Sequence, residues 1–176
     1  MYRGSSFILD VDYTVYSPVI KLLMHKHNRP LWDMPIASLS EQSEQINLLF
    51  ELKENVIDVF HDTITYADEV ASKVEATDTL ITKILLGTMG CTPAYDRFFK
   101  DGCRRENVHP FSNFTVGSYW RMVEFYKKNR RKFRPLTKTS TTDGYAYPPM
   151  KFVDMYFWQI GFEEWKSKHP QARPIS

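Results

Sequence analysis

The clearest pattern in the chain is an apolar stripe at helical spacing inside its first half. Ile46, Leu49, Phe50, Leu52, Val56, Ile57 and Phe60 recur every three or four positions, while Glu41, Glu44, Glu51, Glu54 and Asp58 fall mostly off that stripe. Such a period buries one face of an α-helix and leaves the other in water, so an amphipathic helix of about five turns is predicted. Ser38, with Glu41 three residues on, reads as the capping box that opens it.

Start and stop signals divide the rest of the chain. Ser17-Pro18 before VIKLLMHKH predicts a cap, a proline in the first turn and a short helix that stops before Arg29-Pro30. Helical spacing continues over residues 64–75 through Ala67, Val70, Ala71 and Val74, after which Thr77-Asp78 caps TLITKILLG, ending on Gly87. Thr92-Pro93 then opens AYDRFFKDG, with Gly102 as a left-handed C-terminal residue, and residues 103–114 read as a loop. From about Thr115 to Phe133, Val116, Tyr119, Trp120, Val123 and Tyr126 mark one helical face. Pro148-Pro149 precedes a last helix, MKFVDMYFWQIGFEEWKSKH, with Phe152, Met155, Tyr156 and Ile160 inward. Before it, LTKTSTTDGYAYPP contains Asp143-Gly144, a favoured hairpin dipeptide, so residues 136–147 read as a short β-hairpin or a loop. The expected fold is all-α or mostly α: a single compact domain over residues 1–176 with about seven helices.

Composition agrees with a folded core. A chain of 176 residues, 43% hydrophobic and 15% aromatic, can bury an interior without disulfides or metals. No apolar run approaches the roughly 18 residues a membrane span needs, and no leader-like pattern follows Met1, so a soluble cytoplasmic protein is expected. Cys91 and Cys103 fit neither a redox nor a zinc spacing and are expected to be reduced structural thiols. His25 and His27 are two apart, which places them on different helix faces rather than around a metal. No cofactor or metal is expected.

The net charge of +2 conceals a separation of sign. Residues 1–80 hold 6 Lys/Arg against 13 Asp/Glu, and residues 81–176 hold 17 against 8. The two halves therefore either pair with each other or leave the second free for a polyanion. Within it, KKNRRKFRPLTK concentrates Lys127, Lys128, Arg130, Arg131, Lys132, Arg134 and Lys138, with no acid between Glu124 and Asp143. Tyr145 and Tyr147 nearby are suited to stacking on bases.

Two short stretches resemble known families. FILDVDYTVY, with Asp10, Asp12 and Thr14, resembles the opening motif of the haloacid-dehalogenase-like phosphotransferases, whose first Asp attacks phosphorus and whose second shuttles a proton. That resemblance implies a parallel sheet and a magnesium ion, yet no later strand, phosphate-binding lysine or acidic pair is legible in this chain. LLGTMGCTPAYDRFF, at 85–99, resembles the helix-hairpin-helix of DNA-repair proteins, in which a glycine turn and a helix N-terminus meet a phosphate. Met89-Gly90 and Ala94 match its spacing, whereas Gly87 stands one residue too far from Gly90 and Pro93 replaces the usual Thr. In the related DNA glycosylases a downstream Asp is catalytic; no segment here matches that motif, and Asp154 is the downstream acid set among aromatic residues.

These observations favour a small binding protein over an enzyme. Nucleic acid or another polyanion, or an acidic protein surface, would meet the basic segment together with Gly87 and Gly90. The alternatives are a protein-interaction module acting as inhibitor or regulator, using the acidic 41–78 face or the aromatic last helix, and a magnesium-dependent phosphatase using Asp10 and Asp12.

Overall fold

The structure is a computed structural model that describes residues 16–67, 76–108, 113–133 and 146–171. Asp10, Asp12 and Thr14, most of the 136–147 hairpin, Arg134 and Lys138 lie outside these residues, as do Val70, Ala71, Val74 and Tyr145. Among the described residues the fold is all α, with six α-helices, one 3-10 helix and no strand. The helices are α1 (Ser17–Leu23), a 3-10 turn (Lys26–Leu31), α2 (Glu44–Ala67), α3 (Asp78–Thr88), α4 (Arg97–Arg105), α5 (Val116–Phe133) and α6 (Pro149–Lys168). None is long and apolar enough to cross a membrane.

The stripe of α2 buries as its spacing predicts: Ile46, Leu49, Leu52, Val56 and Phe60 are all enclosed. Its start is different. Ser38 and Glu41 precede the helix, which begins at Glu44; the Ser43 carbonyl accepts from Ile46 N–H, and the Ser43 hydroxyl takes the Ser40 N–H at 2.8 Å. Ile36 and Leu39 are buried and hold the preceding turns against the core, and this packing outweighs the local capping signal. The predicted first helix likewise divides, because Asn28 turns inward and donates to the Leu22 carbonyl at 2.8 Å, which also accepts the His25 N–H at the end of α1.

Thr77 caps α3 as expected, accepting from Leu80 N–H at 3.3 Å. The stop comes later than Gly87: the helix runs to Thr88, and Gly90, at φ +64°, makes the left-handed turn with its N–H on the Leu85 carbonyl at 2.9 Å. Thr92-Pro93 does not start α4. Residues 91–95 form a buried non-helical crossing, and Asp96 is the cap, accepting from Phe99 N–H at 3.0 Å. Gly102 is helical and buried rather than terminal: a Cβ there would lie 1.9 Å from the Phe157 carbonyl oxygen, so it is the point where α4 crosses α6. On α6, Phe152 turns inward together with Val153, Asp154, Phe157 and Gly161, whereas Met155 and Tyr156 remain partly exposed.

Aromatic rings join the elements through the core. Phe50 of α2 meets Phe114 at 4.8 Å between ring centres, Phe114 meets Tyr95 at 5.1 Å, Tyr95 meets Phe99 at 5.2 Å and Phe99 meets Phe157 at 5.7 Å. Phe157 then meets Phe125 of α5 at 4.6 Å. The rings adopt tilted or edge-on geometries, which suit the aromatic quadrupole.

Candidate nucleic-acid interface

The buried crossing at 91–95 is held by side chains that satisfy its backbone. Thr79 donates its hydroxyl to the Tyr95 carbonyl at 2.8 Å, and Thr82 accepts the Tyr95 N–H at 2.9 Å. Asp154 takes the Ala94 N–H at 3.0 Å, and Tyr119 donates to the Cys91 carbonyl at 2.9 Å. Gly90 is buried too, with its N–H already used, and a Cβ there would lie 2.2 Å from Pro148 Cγ. The N–H groups of Gly90, Ala94 and Tyr95 are thus each taken up within the protein. Gly87 is exposed in the last turn of α3, with open space around it.

Five residues of the basic segment lie on the last turns of α5. Lys127 is tied inward: it donates to the Leu39 carbonyl and sits 4.9 Å from the centre of the Trp120 ring. Lys128, Arg130, Arg131 and Lys132 are exposed, and none forms an ion pair or side-chain hydrogen bond with another described residue. Several acids of the first half pair elsewhere. Lys53 bridges Asp78 at 3.2 Å and the Phe114 carbonyl at 3.1 Å, joining α2, α3 and the approach to α5, and His27 faces Glu51 at 3.5 Å. Among the described residues, mutual pairing of the two halves therefore does not account for the exposed cations.

Beside this basic end lies a groove for which the sequence pattern carries almost no signal. Its volume is about 660 Å³, and it runs between the end of α3, the residues before α4, Phe133 and the outer face of α6. One wall is aromatic: Phe133 stacks on Phe152 at 6.1 Å and 21°, and Tyr126, outside the groove lining, stacks on Phe133 at 5.9 Å and 7°. The lining also carries two ion pairs, Lys83 to Asp96 at 3.5 Å and Lys151 to Asp154 at 3.2 Å. Burial pushes the Asp154 carboxyl above the ordinary aspartate range, against the lowering effect of Lys151 and the Ala94 N–H. The only sequence signal for this quartet was Asp154 among aromatic residues; Lys83 reads from sequence as a solvated helix position. A second depression, sharing Lys83, Leu86 and Lys151 with the first, is lined by the glycine turn and α1.

No group of three or more His, Cys, Asp or Glu side chains able to hold a metal occurs among the described residues. Cys91 and Cys103 are free and buried, and burial pushes the Cys91 thiol up to about 12, so neither is a poised nucleophile. A cationic helix end lies at the border of a partly aromatic cleft that carries two ion pairs. Comparison with protein-family models, with curated proteins and with solved structures finds no match for this chain, which leaves the chemistry of the site to carry the assignment.

Proposed function

We propose that this is a small binding protein that contacts nucleic acid, or another polyanion of like charge density, through the C-terminal end of α5. The observation that supports this reading is the cluster of Lys128, Arg130, Arg131 and Lys132, exposed and without an ionic partner among the described residues. Arg131 and Lys132 lie three and four positions after Lys128, so each repels it at a cost of about 0.2–0.5 kcal/mol. Favourable interaction with the negative end of the helix dipole offsets part of this, about 0.3–1 kcal/mol per charge. Packing gives no reason for the cluster, and neutralising phosphates would give one. Lys127 contributes to the fold rather than to the surface.

Charge reversal tests the proposal directly. In Arg130→Glu/Arg131→Glu/Lys132→Glu, affinity for a short DNA or RNA strand at low salt should fall at least tenfold. The slope of log K against log salt should also become shallower, by about 0.7–0.9 for every phosphate the variant no longer neutralises. Unchanged affinity and slope would remove the proposal. Lys127→Ala should instead lower stability, because the Leu39 carbonyl loses its donor.

A further inference from the structure

The groove beside the basic helix end has three properties that together define an occupant. Its volume of about 660 Å³ falls within the range of about 300–1,000 Å³ usual for small-ligand sites. Its aromatic wall ends in partly open side chains: Tyr156, 38% exposed, meets Phe133 edge-on at 6.4 Å, and Met155 beside it is 45% exposed. Its floor sets two lysine ammoniums and two aspartate carboxylates side by side, all less than half exposed. Ion pairs withdrawn from water are costly compared with apolar packing, and here they present donors and acceptors to whatever enters an otherwise apolar cleft. A purely apolar ligand would leave those groups desolvated without hydrogen bonds of its own. A flat ring bearing both acceptor and donor atoms would satisfy them and still cover the apolar wall.

Charge completes the description. Phe133 borders the groove at the end of α5, the helix whose last turn carries the exposed Arg130, Arg131 and Lys132, so an anionic group leaving the cleft at that end enters the field of a cationic helix end. On this juxtaposition, and resting on the polyanion reading above, we infer that the groove takes an unpaired nucleotide. Its base lies against Tyr156 and Met155, the polar edge of the base faces Lys83, Lys151 and the two aspartates, and its phosphate lies toward the cationic end of α5. Stacking on an aromatic side chain favours any base, so the site reads single-strandedness more than sequence. A paired base would first have to leave its duplex, which costs unstacking energy.

The test uses the full chain and three probes: a labelled oligothymidylate, an abasic strand with the same number of phosphates, and thymidine monophosphate as competitor. The intact strand should bind about tenfold to a hundredfold more tightly than the abasic one, as expected for a stacked base. Tyr156→Ala should remove most of that difference while leaving the affinity for the abasic strand in place. Because Tyr156 also donates to Glu106 at 3.2 Å, its fold is checked by melting, and Met155→Ala, at a more exposed position, serves as the second variant. If the mononucleotide displaces the strand with the same dependence on Tyr156, the groove assignment stands with a free nucleotide as its source. Equal affinity for intact and abasic strands overturns the groove assignment and leaves the polyanion reading intact. If neither strand binds, both fall.

Discussion

Asp154 shows how much one buried residue can do that a sequence hides. Its two oxygens meet the Ala94 N–H at 3.0 Å and the Lys151 ammonium at 3.2 Å, fixing the crossing to α6 and charging the floor of the groove. Burial raises its pKa all the same, so the folded state holds this proton more tightly than the unfolded chain does. Where the folded form binds more protons, stability falls as pH rises, here from the ordinary aspartate value of about 3.9 upward through the folded value. In Asp154→Asn the amide oxygen can still accept from Ala94, so that part of the pH dependence should vanish while the fold persists. Melting temperature against pH for the two proteins checks this: the wild type should lose stability relative to the variant as pH rises through the window. A constant difference, or one of opposite sign, would show that desolvation does not dominate at this site.

At the level of elements, the crossing of α4 over α6 depends on two glycines, and one of them sits where local spacing suggests a helix end. Gly102 follows a helical segment, as a C-terminal glycine does, but a Cβ on it would meet the Phe157 backbone at 1.9 Å. A Cβ on Gly161 would meet the Phe98 carbonyl oxygen at 2.0 Å and the Gly102 nitrogen at 2.9 Å. Both obstacles are backbone, so neither Gly102→Ala nor Gly161→Ala can be relieved by turning a side chain, and the two helices must move apart. Each should lose about 1–3 kcal/mol or more, the range of overpacked cores. Gly87→Ala is the contrast: that residue is helical, exposed and has nothing within 4 Å of an added Cβ. There the substitution should stabilise by up to about 1 kcal/mol through helix propensity. Denaturant unfolding of the three variants measures both effects, and a neutral Gly102→Ala would contradict the packing described.

For the molecule as a whole, the aromatic chain from Phe50 to Phe125 ties α2, α4, α5 and α6 into a common core, with Cys91 and Cys103 inside it. Burial raises both thiol pKa values, that of Cys91 to about 12, so thiolate is scarce and alkylating reagents lack access. Both cysteines should therefore react with iodoacetamide only as fast as the protein opens globally, and at matching rates. Rapid modification of one of them in the native state would show that its part of the core opens independently. Electrostatics at this scale is asymmetric as well: Glu51, Glu54 and Asp62 of α2 and Asp78 of α3 have ionic partners, whereas Lys128, Arg130, Arg131 and Lys132 at the end of α5 have none among the described residues. A field of that shape would steer the proposed polyanion toward one end of the molecule.

The all-α class, the buried face of α2, the cap at Thr77 and the basic segment were legible in the chain because each rests on neighbours within one or two turns. Periodicity, capping hydroxyls and runs of charge are local properties. The true start of α2, the interior role of Gly102 and the orientation of α6 were not, because each is set by a residue distant in sequence: Leu39 against the core, Phe157 against Gly102, Asp154 on Ala94. The groove belongs wholly to this second kind. Lys83, Asp96, Phe133 and Asp154 are spread over some seventy positions of the chain, and only the packing of α3, α5 and α6 brings an aromatic wall, two ion pairs and a cationic helix end to one place. The sequence alone determined where helical segments lie and that one of them ends in a cluster of positive charge; the tertiary structure decided that Lys128, Arg130, Arg131 and Lys132 are unpaired among the described residues and that the helix they end borders a cleft through Phe133.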